Sequence, residues 1–321
     1  MSKVTFSLED YQQAAIQYRK ELLILPIRGI KKSLEYMTGR PGIRYAERVG
    51  DADIDAQFAP YRPDIKSSSD LKIKFRELQT FFGACVQPFE PNSAISTLLG
   101  IGAASKGDAQ MQAPTAMLVL SLIAKKLAAS LDRALFKAVR NPAGNTTMDL
   151  FDGFDTITEK EITAGNISAA NGNYLKLDAP ITLANAVETA QKILYALDDE
   201  LRASEEPVYI YCTQEFLDLY NKAYKLETGA TAYNREYEQT AVEGSNGMLL
   251  FCPLPNKRGT KYFQVCAKSN MLVGYDSLSD SESVSVEKYA PFILTYVATM
   301  FFGVQFESID RRRFMTVELA A

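Results

Sequence analysis

The sequence predicts an α+β chain built around one long helix and several layered strands. Three observations predict it. Pro114 to Arg140 carries Leu120, Ile123, Leu127, Leu131 and Leu135 on one stripe, with Lys125, Lys126, Asp132, Arg133, Lys137 and Arg140 around it. That is the spacing of an amphipathic helix. From Thr182 onward come a helical period, a strand, a second helical period and a run of short apolar segments. This order reads as a layered α/β or α+β domain inserted between parts of a first domain. Tyr289 to Phe306 holds no charged residue, is dense in β-branched and aromatic residues, and includes Pro291, Thr295, Thr299 and Gly303. Such a composition favours a long buried strand over a helix in lipid.

The elements follow in order. Ser7 and Asp10 form an S-x-x-D capping box that opens a helix to Leu25. Its apolar positions Leu8, Tyr11, Ala15, Tyr18, Leu22 and Leu25 are spaced 3-4-3-4-3. A seam that narrow packs either on the protein's own body or against another subunit. Gly39 to Ser69 lacks a helical period and holds Pro41, Pro60, Pro63 and many charges. It reads as a β-hairpin arm reaching from the body. Leu71 to Gln87 reads as one strand, with Gly83 as a bulge.

The helix from Pro114 to Arg140 spans roughly 40 Å at 1.5 Å per residue and forms a spine, stopped by "NPAGN" at 141–145. Thr182 caps a helix to Arg202, and Thr213 opens another to Lys225. Strands are expected at 207–212, 248–252, 262–266, 271–275, 283–287 and 291–306, with a last one at "FMTVEL".

Composition narrows the function classes. The chain has 321 residues, is 47% hydrophobic and 23% charged, and has a net charge of −4. It carries no excess of positive charge for strong nucleic-acid binding. Lys3, Glu9 and Asp10 interrupt any apolar stretch of a signal peptide near Met1. Histidine is absent, which removes Ser-His-Asp triads, Cys-His pairs and His-based zinc motifs together. The four cysteines, Cys85, Cys212, Cys252 and Cys266, form no C-x-x-C pair and sit in apolar, strand-like settings. They read as small buried hydrophobes in a reducing compartment.

The motifs point to structure rather than chemistry. "MDLFDGFDTI" (148–157) sets Asp149, Asp152 and Asp155 three apart. A calcium loop needs oxygens at alternate positions, so this spacing does not suit it. Asp152-Gly153 reads as a structural turn in which glycine takes positive φ. "GIGAASKGD" (100–108) places Ser105 where a phosphate loop needs glycine before Lys106. Arg311, Arg312 and Arg313 suit phosphate, partner carboxylates or a solvated strand end. The acidic run Asp198-Asp199-Glu200 reads as a solvated helix face. No catalytic, cofactor-binding or metal residue is assigned, and the chain reads as a non-enzyme.

"LKIKFRELQTFFGACVQPFEPN" (71–92), "LFDGFDTI" (150–157) and "MFFGVQFESIDRRRF" (300–314) resemble segments of the major capsid proteins of tailed bacteriophages, in particular phages of gut Bacteroidales. The order of elements is similar to the Hong Kong 97-like fold of that family over almost the whole chain. The resemblance implies an N-terminal arm at 1–38, an extended loop at 39–70 lying across a neighbouring subunit, and a peripheral domain at 71–180 with the spine helix at 114–140. It further implies an axial domain at 181–290 and strands at 291–321 returning to the peripheral domain. Candidate intersubunit residues are then Leu8, Tyr11, Tyr18 and Leu22 of the seam, Arg44, Tyr45, Phe58, Tyr61 and Lys66 of the loop, and Arg311, Arg312 and Arg313. Some members of the family link subunits covalently through lysine, but the sequence identifies no partner for Lys66.

The implied function is a head protein that self-assembles as pentamers and hexamers into an icosahedral shell around double-stranded DNA. The implied partners are portal and scaffold or protease proteins, with non-specific contact to packaged DNA and no membrane. The shell would be assembled in the host cytoplasm and reside in the virion. Only a short segment precedes the seam, so a separate scaffold or a trimmed chain is implied. Two other readings stay open: a cellular nanocompartment shell of the encapsulin type, and a carboxylate-dependent hydrolase or carbohydrate-binding module.

Overall fold

A computed structural model describes residues 11–12, 14–15, 22, 31–54, 71–90, 112–228, 240–276, 284–291 and 293–320. The chain divides into two compact units. Met1–Tyr45, Thr80–Thr156 and Val273–Gly303 form the first, and Ala46–Gln79, Ile157–Leu272 and Val304–Ala321 the second.

The first unit is a helix on a sheet. Helix α1 spans Gln112–Lys137, so the spine starts and stops slightly earlier than the periodicity predicts. Leu120, Leu131 and Leu135 of its stripe are buried, while Lys125, Lys126 and Arg133 are exposed. The sheet contains β1 (Thr38–Pro41), β4 (Phe81–Phe89), β9 (Met271–Asp276), β10 (Val284–Ala290) and β11 (Ile293–Phe306). The uncharged segment is therefore a strand, as expected. At about 3.3 Å per residue it runs roughly 46 Å, with β4 paired to one edge and β10 to the other. One core joins Tyr11, Ala14, Ala15 and Leu22 to Val119 and Leu120 of α1 and to Val284, Val286, Leu294 and Tyr296 of the sheet.

Two glycines work by close approach rather than by backbone freedom. Gly83 lies in an unbroken β4–β11 register opposite Met300, so the expected bulge is absent there. A Cβ at this position would stand 2.9 Å from Leu150 Cδ2. Gly153 does not have positive φ, which corrects the reason given for the Asp152-Gly153 turn. A Cβ there would meet the Phe136 carbonyl oxygen at 2.4 Å and the Ala138 nitrogen at 2.9 Å.

That close approach explains "MDLFDGFDTI". A helix end leaves carbonyls without intrahelical partners. The Ala138 carbonyl just past α1 accepts from Gly153 N–H at 2.8 Å and from the Thr156 hydroxyl at 2.6 Å. Asp152 accepts the Arg140 N–H at 3.1 Å, and Asp149 accepts the Thr146 N–H at 3.1 Å. Asp155 sits in the first turn of α2 (Phe154–Thr163), favourable for a carboxylate. The three aspartates thus serve three separate backbone sites. No group of three metal-ligating side chains occurs among the described residues.

The second unit holds a five-stranded sheet in the order β5 (Tyr174–Lys176), β12 (Phe314–Glu318), β8 (Tyr262–Ala267), β6 (Val208–Cys212), β7 (Leu249–Pro253). Alternate residues Val208, Ile210, Leu249, Phe251, Phe263, Val265, Met315 and Val317 face α3 (Ala186–Ala196) and α5 (Gln214–Thr228) in one core. The predicted helix 182–202 is split. It starts at Ala186, and the Asn185 side chain folds back to accept the Thr182 N–H at 2.7 Å. It ends at Leu197, whose ψ of 143° is extended. One further turn, α4 (Asp199–Arg202), follows. Asp198 is no solvated-face residue: it accepts the Glu200 N–H at 3.0 Å as a cap.

The predicted single strand 71–87 is two. β3 (Leu71–Gln79) pairs with β2 (Ala46–Ile54) from Ala46↔Gln79 to Ile54↔Leu71, while β4 belongs to the first sheet. The change of partner falls at Thr80, whose N–H donates to the Tyr45 carbonyl at 2.7 Å.

Candidate intersubunit surfaces

The residues before β2 set up an exposed apolar strip. Gly42 and Tyr45 are both left-handed, with φ of 82° and 73°. For Tyr45, which has a Cβ, that conformation costs about 1 kcal/mol. The Thr80 backbone contact holds it, as does the Thr80 hydroxyl donating to the Ile43 carbonyl at 3.1 Å. The Tyr45 ring is thereby turned outward, 72% exposed, with its edge 5.3 Å from Phe301. Phe82 is 57% exposed and packs on the same ring at 5.2 Å. Val86 is 63% exposed and shares the face of Phe82, because both occupy even positions of β4. Single exposed apolar residues are ordinary, but several on one sheet face mark an interaction surface. Among the described residues β4 pairs with no strand but β11.

The predicted contact residues separate into groups. Tyr11 and Leu22 are fully buried in their own unit, so the seam at those positions packs on the protein's own body and keeps no area for a neighbour. Arg44 donates from Nε to the buried Asp276 at 2.5 Å, so its charge is held within the chain. Tyr45 is the outward-facing member. Leu8, Tyr18, Phe58, Tyr61 and Lys66 lie outside the described residues, as does the 100–108 segment.

Arg311, Arg312 and Arg313 border polar grooves in the second unit, the larger of about 700 Å³. Arg311 pairs with Asp198 at 3.2 Å. Arg312 pairs with Asp310 at 3.1 Å and lies 3.9 Å from Glu200. These carboxylates offset much of the positive charge a phosphate would seek.

Phe82 and Val86 went unassigned in the sequence, although their alternation with Gly83 and Cys85 carries the signal. Lys257 was also missed. It lies in the polar stretch "PNKRGT", yet it is fully buried. Its Nζ donates to the Tyr262 carbonyl at 2.8 Å and to Gln264 Oε1.

Three of the four thiols are buried as the sequence expects, while Cys85 on β4 is only half-buried. All four are free, and Cys212, Cys252 and Cys266 are buried. Burial pushes Cys212 and Cys266 up from 9.0 to about 12, with nearby Lys257 opposing it. Folding therefore favours the neutral thiols. Their stabilising contribution is complete below about pH 9 and is lost as pH rises from 9 towards 12. We expect the melting temperature to fall progressively in buffers above pH 9. Iodoacetamide at pH 8 is expected to leave these cysteines unmodified until denaturant is added; alkylation of Cys266 in the native protein would contradict this.

Among the described residues no helix is long and apolar enough to cross a membrane. No family model matches the sequence, and no curated protein matches it. Solved structures do match. A chain of the satellite phage P4 procapsid that includes the size-determination protein is similar over 91% of this chain and 97% of its own, with a TM-score of 0.56 and 11% identity. The chain has the Hong Kong 97-like capsid fold. The capsid of a native GTA particle is similar over 91% of both chains, with a TM-score of 0.54 and 14% identity. At such identities the capsid fold is shared while the surfaces are this chain's own.

Proposed function

We propose that this chain is a major capsid protein, a non-enzymatic building block that assembles as pentamers and hexamers into an icosahedral phage head around double-stranded DNA. The observation that carries the reading is the capsid fold along 91% of the chain, together with the outward Tyr45–Phe82–Val86 strip. Contacts that close into rings build capsomers, and an outward apolar strip is what such a contact needs. In this reading residues 1–38 are the N-terminal arm, and the extended loop at 39–70 contributes β2, whose partner strand β3 lies just beyond it at Leu71–Gln79. Residues 71–180, 181–290 and 291–321 supply the peripheral domain, the axial domain and the returning strands.

Portal and scaffold or protease proteins are the expected partners, with assembly in the host cytoplasm. Contact with packaged DNA is weak and non-specific, in keeping with the net charge of −4. A host among gut Bacteroidales rests on the three sequence segments alone.

Electron microscopy of the purified protein across a concentration series tests the proposal. Rings, tubes or closed shells are expected. A strict monomer at the highest concentration would overturn it, as would tight binding of duplex DNA at physiological salt.

A further inference from the structure

The β2–β3 hairpin pairs chiefly with itself, and a two-stranded ribbon alone is only marginally stable. One polar cluster in the second unit ties its second strand down. Arg76 of β3 donates from one guanidinium nitrogen to Glu161 of α2 at 2.6 Å and to Gln305 of β11 at 3.1 Å. Gln305 in turn donates to the Glu77 carbonyl at 3.1 Å. Its side-chain oxygen also accepts the Phe306 N–H at 3.0 Å. The Arg76 and Glu161 side chains are only 15% and 18% exposed, so solvent and salt screen the pair less than they would a surface pair. A β3 side chain and the next β3 carbonyl are thus both gripped, which fixes direction as well as position.

We propose that Arg76, Glu161 and Gln305 form a clasp that sets the angle at which the hairpin leaves its unit. Under the capsid reading, on which this last step rests, the clasp sets subunit spacing in the shell. The physical reason is leverage. β2 has nine residues, roughly 30 Å at 3.3 Å each, so a 10° error at the root displaces the far end by about 5 Å. That exceeds what a close-packed contact tolerates. Arg76 is a positioning residue, because it acts through where it holds the strand.

The test measures angle separately from stability. Nitroxide labels at Asp53→Cys, near the far end of β2, and at Lys192→Cys, in a Cys85→Ser background, report the spread of hairpin positions by pulsed electron paramagnetic resonance in unassembled protein. A single narrow distance is expected with the clasp intact. Arg76→Ala is expected to at least double the width while the melting temperature stays within a few degrees. The reversed pair Arg76→Glu with Glu161→Arg is expected to narrow it again. An unchanged width in Arg76→Ala overturns the clasp, and so does failure of the reversed pair to restore it. Because this readout needs no assembly, its failure is distinct from a failure to form shells. Where shells form, Arg76→Ala is expected to cut the yield of closed particles about tenfold, and an unaltered yield and size would remove the link to spacing.

Discussion

Gly153→Ala is expected to destabilise the first unit by about 3 kcal/mol, towards the severe end of overpacking substitutions. The added methyl would stand 2.4 Å from one backbone atom and 2.9 Å from another. Neither is the end of a flexible side chain, so either the α2 entry or the end of α1 must shift. Any shift lengthens the 2.8 Å bond from Gly153 N–H to the Ala138 carbonyl and strains the Thr156 bond to the same oxygen. Thermal unfolding should show a drop of roughly 6–9 °C for a chain of this size. Asp152→Ala, which removes a half-buried carboxylate that accepts the Arg140 N–H but adds no atom to the close approach, should cost about 1 kcal/mol. Equal losses in the two variants would mean that the close approach is not what the glycine serves.

Lys257→Ala is expected to cost a similar amount, about 3 kcal/mol, by a different route. The lysine is fully buried, and its ammonium supplies donors to the Tyr262 carbonyl and Gln264 Oε1. Truncation leaves two buried acceptors without that donor and opens a cavity beside Cys212, Cys252 and Cys266. Lys257→Met restores most of the volume but no donor, so a loss of about 1–2 kcal/mol is expected. Urea unfolding midpoints of the two variants separate the contributions. A Met variant as stable as the parent would show that the hydrogen bonds contribute nothing net, as can happen when a buried charge gives way to apolar packing.

Local pattern was legible wherever one face of an element is wet. The stripe Leu120, Leu131, Leu135 and the charges between them gave α1 nearly to its ends, and the uncharged 293–306 strand was equally plain. Thr213 was read as a cap, and its hydroxyl accepts the Phe216 N–H at 3.3 Å. The errors came where a long-range partner decided the outcome. Thr80 divides an unbroken strand pattern because Tyr45 and Ile43 wait across the chain. The seam spacing of Tyr11 and Leu22 left open what would cover it, and the answer is this chain's own β10, β11 and α1.

The sequence by itself determined α1, the long 293–306 strand, most strands of the second unit, three buried thiols and the absence of histidine chemistry, because periodicity and residue type act over a few residues. Tertiary structure alone decided what each face meets. It set Arg44 against Asp276, 232 positions away, buried Lys257, turned Tyr45, Phe82 and Val86 outward, and made Gly153 necessary through a backbone oxygen 17 residues earlier. A repeat of apolar residues says that a surface must be covered, while only the folded chain says by what.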